Sequence, residues 1–462
     1  INYGRVPLIT EPLLSREDAE AAETGHTVGI EDICTYFIND LATLPDRYNT
    51  EYPFYDKIRY ISKPSYTLFF PLSIVRGDLY LWRATVTGSK EDYRQAALNY
   101  YQYISERNGT NTTYTTNMSY IIWTIGSSAW TSRTIRNLTS FRDENFSADG
   151  ELITLIAGDS IRAEGNYSEL RNLFNSTEEN DYKVSIIPSQ RMEDISAAQA
   201  YAHLSFNGMS VEYAPSGLSE HQSGDLRLSN VWSEGFTRDR ATGERIETQN
   251  ISKYATLNVH IYRRMMVYLR MAEALNGAGY PRMAFQILSE GLSNKVIQDK
   301  VIPCYMTDDK SDSLFLAKFD FPDTRCAVMD EGDLTGSASS SHNMMGIHTR
   351  GSGWTPMNEF YRLPNDTIEP DAAKRAQLTA EQQVVVDSLL LNECALEFAF
   401  EGTRFYDIMR FALRQSNPGQ FMAKHIYARR GEQNAGAMQA EIKASLTDQR
   451  NWYLHWKGKI GY

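Results

Sequence analysis

The stretch LEFAFEGTRFYDIMRFALR, residues 396–414, constrains this 462-residue chain more tightly than any other. At about 100° per residue, Glu393, Glu397, Glu401 and Arg404 fall in one narrow sector of a helix. The rest of the circumference carries Leu396, Phe398, Phe400, Phe405, Met409 and Phe411. A helix that is apolar nearly all round is a buried helix. A row of buried carboxylates must then find cations, because an isolated buried charge is prohibitively costly; Arg404 and Arg410 are the nearest candidates. The same acids could be read as a general acid and base pair. The stretch, however, brings no histidine, nucleophile or glycine-rich turn with it, which favours a structural ion network.

The totals narrow the partners. Hydrophobic residues make up 42% of the chain and charged residues 23%, enough for a large core. The formal charge of −12 comes with no dense Lys/Arg patch, which excludes a phosphate-binding surface of the nucleic-acid type. The chain holds 28 Tyr and 7 Trp, residues suited to binding surfaces because each joins a large apolar face to a polar handle. Cys34, Cys304, Cys326 and Cys394 lie far apart with no CxxC, so neither a metal site nor a disulfide framework is indicated. No apolar run reaches the roughly 18 residues of a membrane span.

Along the chain, residues 1–30 read as loop, broken by Pro7 and Pro12. Helical periodicity begins with IEDICTYFINDLATLP and stops at Pro45. Two stretches share one pattern, GDLYLWRATVTGSKEDYRQAALNYYQYI (77–104) and MVYLRMAEALNGAGYPRMAFQILSEGL (266–292). Each runs from a Leu-rich helix through a Gly turn and a Tyr to an Ala-led helix, as in tetratricopeptide units; Ser89 is placed to cap the second helix of the first pair. We therefore expect a mainly α fold with helical hairpins over 30–106 and 256–294. Separated by nearly 190 residues, the two units are not expected to form a continuous solenoid. Residues 107–255 and 295–370 are irregular, rich in Thr, Ser, Asn and Gly, with short β-leaning runs such as SYIIWTI. Long irregular segments on a rigid frame are where binding sites tend to lie.

Several pieces together resemble the SusD/RagB family. ALEFAFEGTRFYDIMRFA is similar to that family's C-terminal signature, Glu-Leu-x-Phe-Glu-Gly-x-Arg-x-x-Asp-Leu-x-Arg, through Glu397, Phe400, Glu401, Gly402, Arg404, Asp407 and Arg410. YGRVPLITEPL, GDLRL at 224–228, YLRMAEALNGAG and NWYLHW resemble other family segments in the family's order. The sequence departs from the pattern at Cys394, where the family usually has Arg after Glu, so one buried ion pair is expected to give way to apolar packing. The family's lipid-bearing N-terminal cysteine and first helices are not in this chain.

The resemblance implies one SusD-like domain over 1–462, with the signature helices at 376–414. It implies a surface-exposed outer-membrane lipoprotein, held by an N-terminal lipid anchor absent from this chain. Such a protein captures an oligosaccharide, or a peptide, and passes it to a SusC-like TonB-dependent transporter. It implies no catalysis and no cofactor. In this reading the hairpins face the transporter and the irregular half carries the ligand. A pyranose offers an apolar CH face to an aromatic ring and hydroxyls to nearby polar groups, the usual make-up of a small-molecule site. On that ground Trp130, Trp232, Trp354 and Tyr361 are the candidate platforms, with Arg133, Asn230, Arg350 and Asn358 as polar companions. Trp123 in YIIWTI reads as core, and Asp225 with Arg227 as a structural pair. DDKSD (308–312) lacks the spacing of a calcium loop, and His348 has no second ligand beside it, so no metal is expected.

Two other classes compete. An all-helical glycosidase would need two carboxylates about 5–10 Å apart across an open cleft. A tetratricopeptide adaptor would need several adjacent repeats forming a groove.

Overall fold

The computed structural model describes residues 1–44, 63–108, 186–199, 225–321, 343–352 and 361–454, apart from isolated positions and 428–436, together with short pieces of the intervening segments. The fold is mainly helical. Its scaffold comprises α1 (Arg16–Thr24), α2 (Ile30–Leu41), α3 (Leu72–Thr87), α4 (Lys90–Asn108), α5 (Arg264–Gly277), α6 (Pro281–Ser289), α7 (Ala372–Glu397), α8 (Arg404–Leu413), α9 (Pro418–Tyr427) and α10 (Ala437–Thr447).

The first hairpin forms as its turn chemistry dictates. Helix α3 ends at Gly88, which takes the left-handed conformation (φ 71°) that a side chain resists. Ser89 Oγ then accepts the Asp92 backbone N–H at 3.1 Å and starts α4. Arg83 of α3 closes the turn with a 2.6 Å ion pair to Asp92. In the second hairpin, α5 is buried over most of its surface, from Met265 to Asn276.

The hairpins are distant in sequence and adjacent in space. Helix α4 packs directly on α5, and α7 packs on both α5 and α6. The two hairpins, interrupted by the long insertion, therefore lie side by side. Small residues permit this. A Cβ on Gly77 would come within 2.6 Å of the buried Tyr100 ring, and one on Gly277 within 2.6 Å of the buried Tyr93 ring. Polar ties cross the seam as well. Asp78 of α3 accepts from Tyr100 Oη (2.6 Å) and Tyr262 Oη (2.7 Å) and pairs with Arg270 of α5 (2.7 Å). Asp312, from the acidic DDKSD run, accepts from Tyr280 Oη at 2.8 Å and pairs with Arg94. That run thus contributes to helix packing, beyond the solvated loop expected of it.

Strands among the described residues are short and antiparallel. Leu152–Ile156 pairs with Val259–Arg263 across the long insertion, and Ile122–Trp123 pairs with Asn343–Met344, so the two irregular blocks meet. A seven-residue hairpin joins Trp232–Arg238 to Arg245–Ile251.

Ala is a better helix former than Gly by about 1 kcal/mol, yet Gly277→Ala should destabilise the protein. Overpacking against Tyr93 is expected to cost about 1–3 kcal/mol. Thermal unfolding of the variant beside wild type checks this; an unchanged or raised midpoint would mean that the tyrosine moves aside.

Candidate functional site

The acidic stretch is two helices, not one. Helix α7 stops at Glu397, residues 398–403 form a turn, and α8 starts at Arg404. Gly402 takes a left-handed φ of 78° and, less usually, so does Phe400 at 67°. The Phe400 carbonyl accepts Tyr254 Oη at 3.0 Å, and its ring meets Phe174 edge to face, so packing and hydrogen bonding hold a conformation that a bulky residue disfavours. The turn moves Arg404 off the acid row. Its guanidinium donates to the Leu391 carbonyl at 2.6 Å, while Arg410 pairs with Glu273 (3.0 Å) and Asp407 (2.6 Å). Neither arginine serves Glu393, Glu397 or Glu401 in the way the single-helix reading required.

The partners come from elsewhere in the chain. Glu393 takes Arg227 at 2.6 Å through one oxygen, and through the other His348 Nδ1 at 2.9 Å and Tyr361 Oη at 3.3 Å. Glu397 takes Arg227 and Arg263 at 2.9 Å and Arg350 at 3.2 Å. Glu401 takes Arg263 through two nitrogens, each at 2.9 Å, and Lys253 at 2.8 Å. Asp225 grips Arg227 at 2.7 and 3.0 Å while its Oδ1 also caps the short helix Leu226–Val231 through the Arg227 backbone N–H. Among the described residues, four carboxylates (Asp225, Glu393, Glu397, Glu401) thus face Arg227, Arg263, Arg350 and Lys253, with His348 on Glu393. All nine side chains are buried or nearly so. The fit is tight: a Cβ on Gly351 would lie 2.0 Å from Asp225 Oδ2.

Burial by itself would raise these carboxyl groups. The cations overcome it: Arg350, Arg263, Arg227 and Lys253 hold Glu397 well below the ordinary carboxyl range, Arg227 and His348 lower Glu393, and Arg263 and Lys253 lower Glu401. Burial also lowers the Lys253 ammonium, against the pull of Glu401. Such acids are already committed and offer no proton or lone pair to a substrate.

Of the residues expected to bind ligand, Tyr361 and Arg350 are placed at the charge network. Both are buried in the charge network, and the Tyr361 ring is stacked on His348 at 4.0 Å and faces Phe285 at 5.8 Å on a near-parallel plane. Its phenol serves Glu393, and Arg350 serves Glu397. Trp232 is half-buried at the root of its hairpin, packed with Leu228, Phe400 and Ile251. Asn230 lies on the short helix Leu226–Val231. Trp130, Arg133, Trp354 and Asn358 lie outside the described residues. The expected pairing of Asp225 with Arg227 is present, and Cys394 is buried. Arg263, Lys253 and Tyr254 were not anticipated. The one available signal was Arg263–Arg264 embedded in the apolar run HIYRRMMVYL, since a cation there needs a buried anion.

Residues 362–456 match the sequence model of the SusD family. The match takes in Arg404, Asp407 and Arg410 as well as the three network acids. Among solved structures, the chain resembles a SusD superfamily protein of Bacteroides fragilis at 15% identity and a TM-score of 0.41, over 91% of this chain and 67% of that one. It also resembles NanU of B. fragilis at 12% identity and a TM-score of 0.38, over 92% of this chain and 68% of the other. These superpositions are too loose to carry a functional argument. No curated protein matches the chain.

Glu397→Gln removes one charge from a buried, paired set. It should cost about 3–5 kcal/mol at neutral pH, the usual penalty for leaving a buried partner unpaired. The folded-state carboxyls of Glu393, Glu397 and Glu401 lie below the ordinary value of 4.5, so the unfolded chain takes up protons first as pH falls. Their stabilisation is therefore present above pH 4.5 and lost below it, as pH passes through the depressed folded values. Thermal denaturation of wild type and variant between neutral and acidic pH should show the gap between them closing below pH 4.5; a constant gap would contradict the assignment.

Proposed function

We propose that this chain is a surface glycan-binding lipoprotein of the outer membrane that captures an oligosaccharide and delivers it to a SusC-like TonB-dependent transporter. The observation that carries the reading is the family match over residues 362–456, a family whose signature here forms the buried lock on the scaffold. The state of the acids supports a binder over an enzyme. A glycosidase needs carboxylates open to substrate, whereas Glu393, Glu397 and Glu401 are enclosed and neutralised by protein cations.

In this reading the helical hairpins present a rigid face to the transporter, and the irregular half meets the ligand. No helix among the described residues is long and apolar enough to cross a membrane, and the lipoprotein reading places attachment on a lipid anchor. Trp354 is the proposed aromatic platform: in the sequence, Gly353 and Pro356 flank it, residue types that favour an exposed turn. Trp232, packed under its hairpin, is assigned to support of the site.

Calorimetric titration of the full mature protein with malto-, cello-, xylo- and mannohexaose and with mixed oligopeptides tests this. One hexasaccharide should bind without product release, Trp354→Ala should weaken it at least tenfold, and Trp232→Ala should lower the melting temperature more than the affinity. Binding of peptides alone would transfer the protein to peptide capture, and released shorter sugars would make it a hydrolase.

A further inference from the structure

A cleft of about 790 Å³ opens beside α6, bounded by the helical turns at 297–305 and by the segment 361–368 that follows the Trp354 loop. Its volume is that of a site for an oligosaccharide fragment. On one wall stands Gln286, nine-tenths buried in the middle of α6. Its amide makes no hydrogen bond to any described residue, and Oε1 is enclosed without a partner. A buried amide left in this condition is unusual, because each unmet polar group carries a desolvation penalty. Elsewhere on this helix the polar atoms are served: Arg282 is held by Asp366 and by the Thr367 carbonyl at 2.6 Å, and Ser289 Oγ donates to the Phe285 carbonyl at 2.9 Å.

We infer that this cleft is a saccharide subsite of the capture protein and that Gln286 is its specificity-determining residue. The assignment rests on the glycan-binding reading above and deepens it. Three groups on the cleft have unused hydrogen-bonding capacity among the described residues: the Gln286 amide, the Asn365 amide and the exposed Asp299 carboxylate. Amides both donate and accept, and a carboxylate accepts. The matching ligand offers several hydroxyls, each donor and acceptor. Its apolar face would lie on Pro364 and Ile368, the latter 59% exposed. The Tyr361 ring is already stacked on His348 at 4.0 Å. The cleft holds a sugar chiefly by its hydroxyls.

The test pairs Gln286→Leu with Asp299→Asn in the full mature protein, titrated with the hexasaccharide that wild type binds, alongside melting curves. Leu fills the site of the amide without its unmet polar atoms, so Gln286→Leu should melt at or above the wild-type temperature and bind at least tenfold more weakly. Asp299→Asn, at an exposed position, should weaken binding three- to tenfold with melting unchanged. Wild-type affinity in both variants would overturn the cleft while leaving saccharide capture standing. A lower melting temperature for Gln286→Leu with unchanged affinity would make the amide structural, and also overturn it. Failure of wild type to bind any of the four hexasaccharides would remove the reading on which the assignment rests, and the assignment with it.

Discussion

One electrostatic constraint ties distant segments together: three buried carboxylates, at the C-terminal end of α7 and in the turn after it, must be neutralised. The neutralising cations arrive from residues 227, 253–263 and 350, segments that share no local structure. A buried ion set contributes little when compared with apolar packing of the same volume, but an incomplete one is severely penalised. The network therefore discriminates against any arrangement in which one of those segments is misplaced. It ties the short helix Leu226–Val231, the strand Val259–Arg263 and the turn at His348–Arg350 onto the C-terminal end of α7.

The turn at 398–403 is what lets the signature serve two clusters at once. Upstream, Glu393, Glu397 and Glu401 face the network; downstream, Asp407 and Arg410 face Glu273 of α5. A continuous helix would have set Arg404 in the acid row and taken Glu401 away from Arg263 and Lys253. The left-handed residues Phe400 and Gly402 thus separate two buried ion systems, and the strain at Phe400 is held by Tyr254 and Phe174. What looks in one dimension like a catalytic carboxylate row is in three dimensions a pair of structural locks. The scaffold depends on similar economies, with Gly77 and Gly277 allowing tyrosine rings from the neighbouring helix to lie against the backbone.

Legibility followed the range of the interactions. The hairpin turn at Gly88–Ser89, the burial of the signature and the Asp225–Arg227 pair could be read directly, because cap chemistry, helical periodicity and a two-residue separation are local. The break after Glu397 could not, since six apolar or aromatic positions continue the helical pattern across it and the stabilising contacts lie more than 140 residues away. The network contacts of Tyr361 and Arg350 were not legible for the same reason. In sequence they sit in a glycine- and serine-rich loop that suggests exposure; the fold carries that loop into the charge network. Gln286 gave no sequence signal at all, because a glutamine inside an amphipathic helix is ordinary until its partners are seen to be missing.

The amino-acid sequence by itself determined a mainly helical scaffold, a buried acid-rich signature and a C-terminal segment similar to the SusD family, because these depend on periodicity, composition and a motif. Only the tertiary structure decided which cations neutralise the acids, that two hairpins nearly 190 residues apart pack side by side, and which polar groups face an open cleft. The reason is physical. Periodicity says that a face is buried but not against what, and a charge says that a partner is required but not which one; both questions are answered only when distant segments compete for the same interior volume.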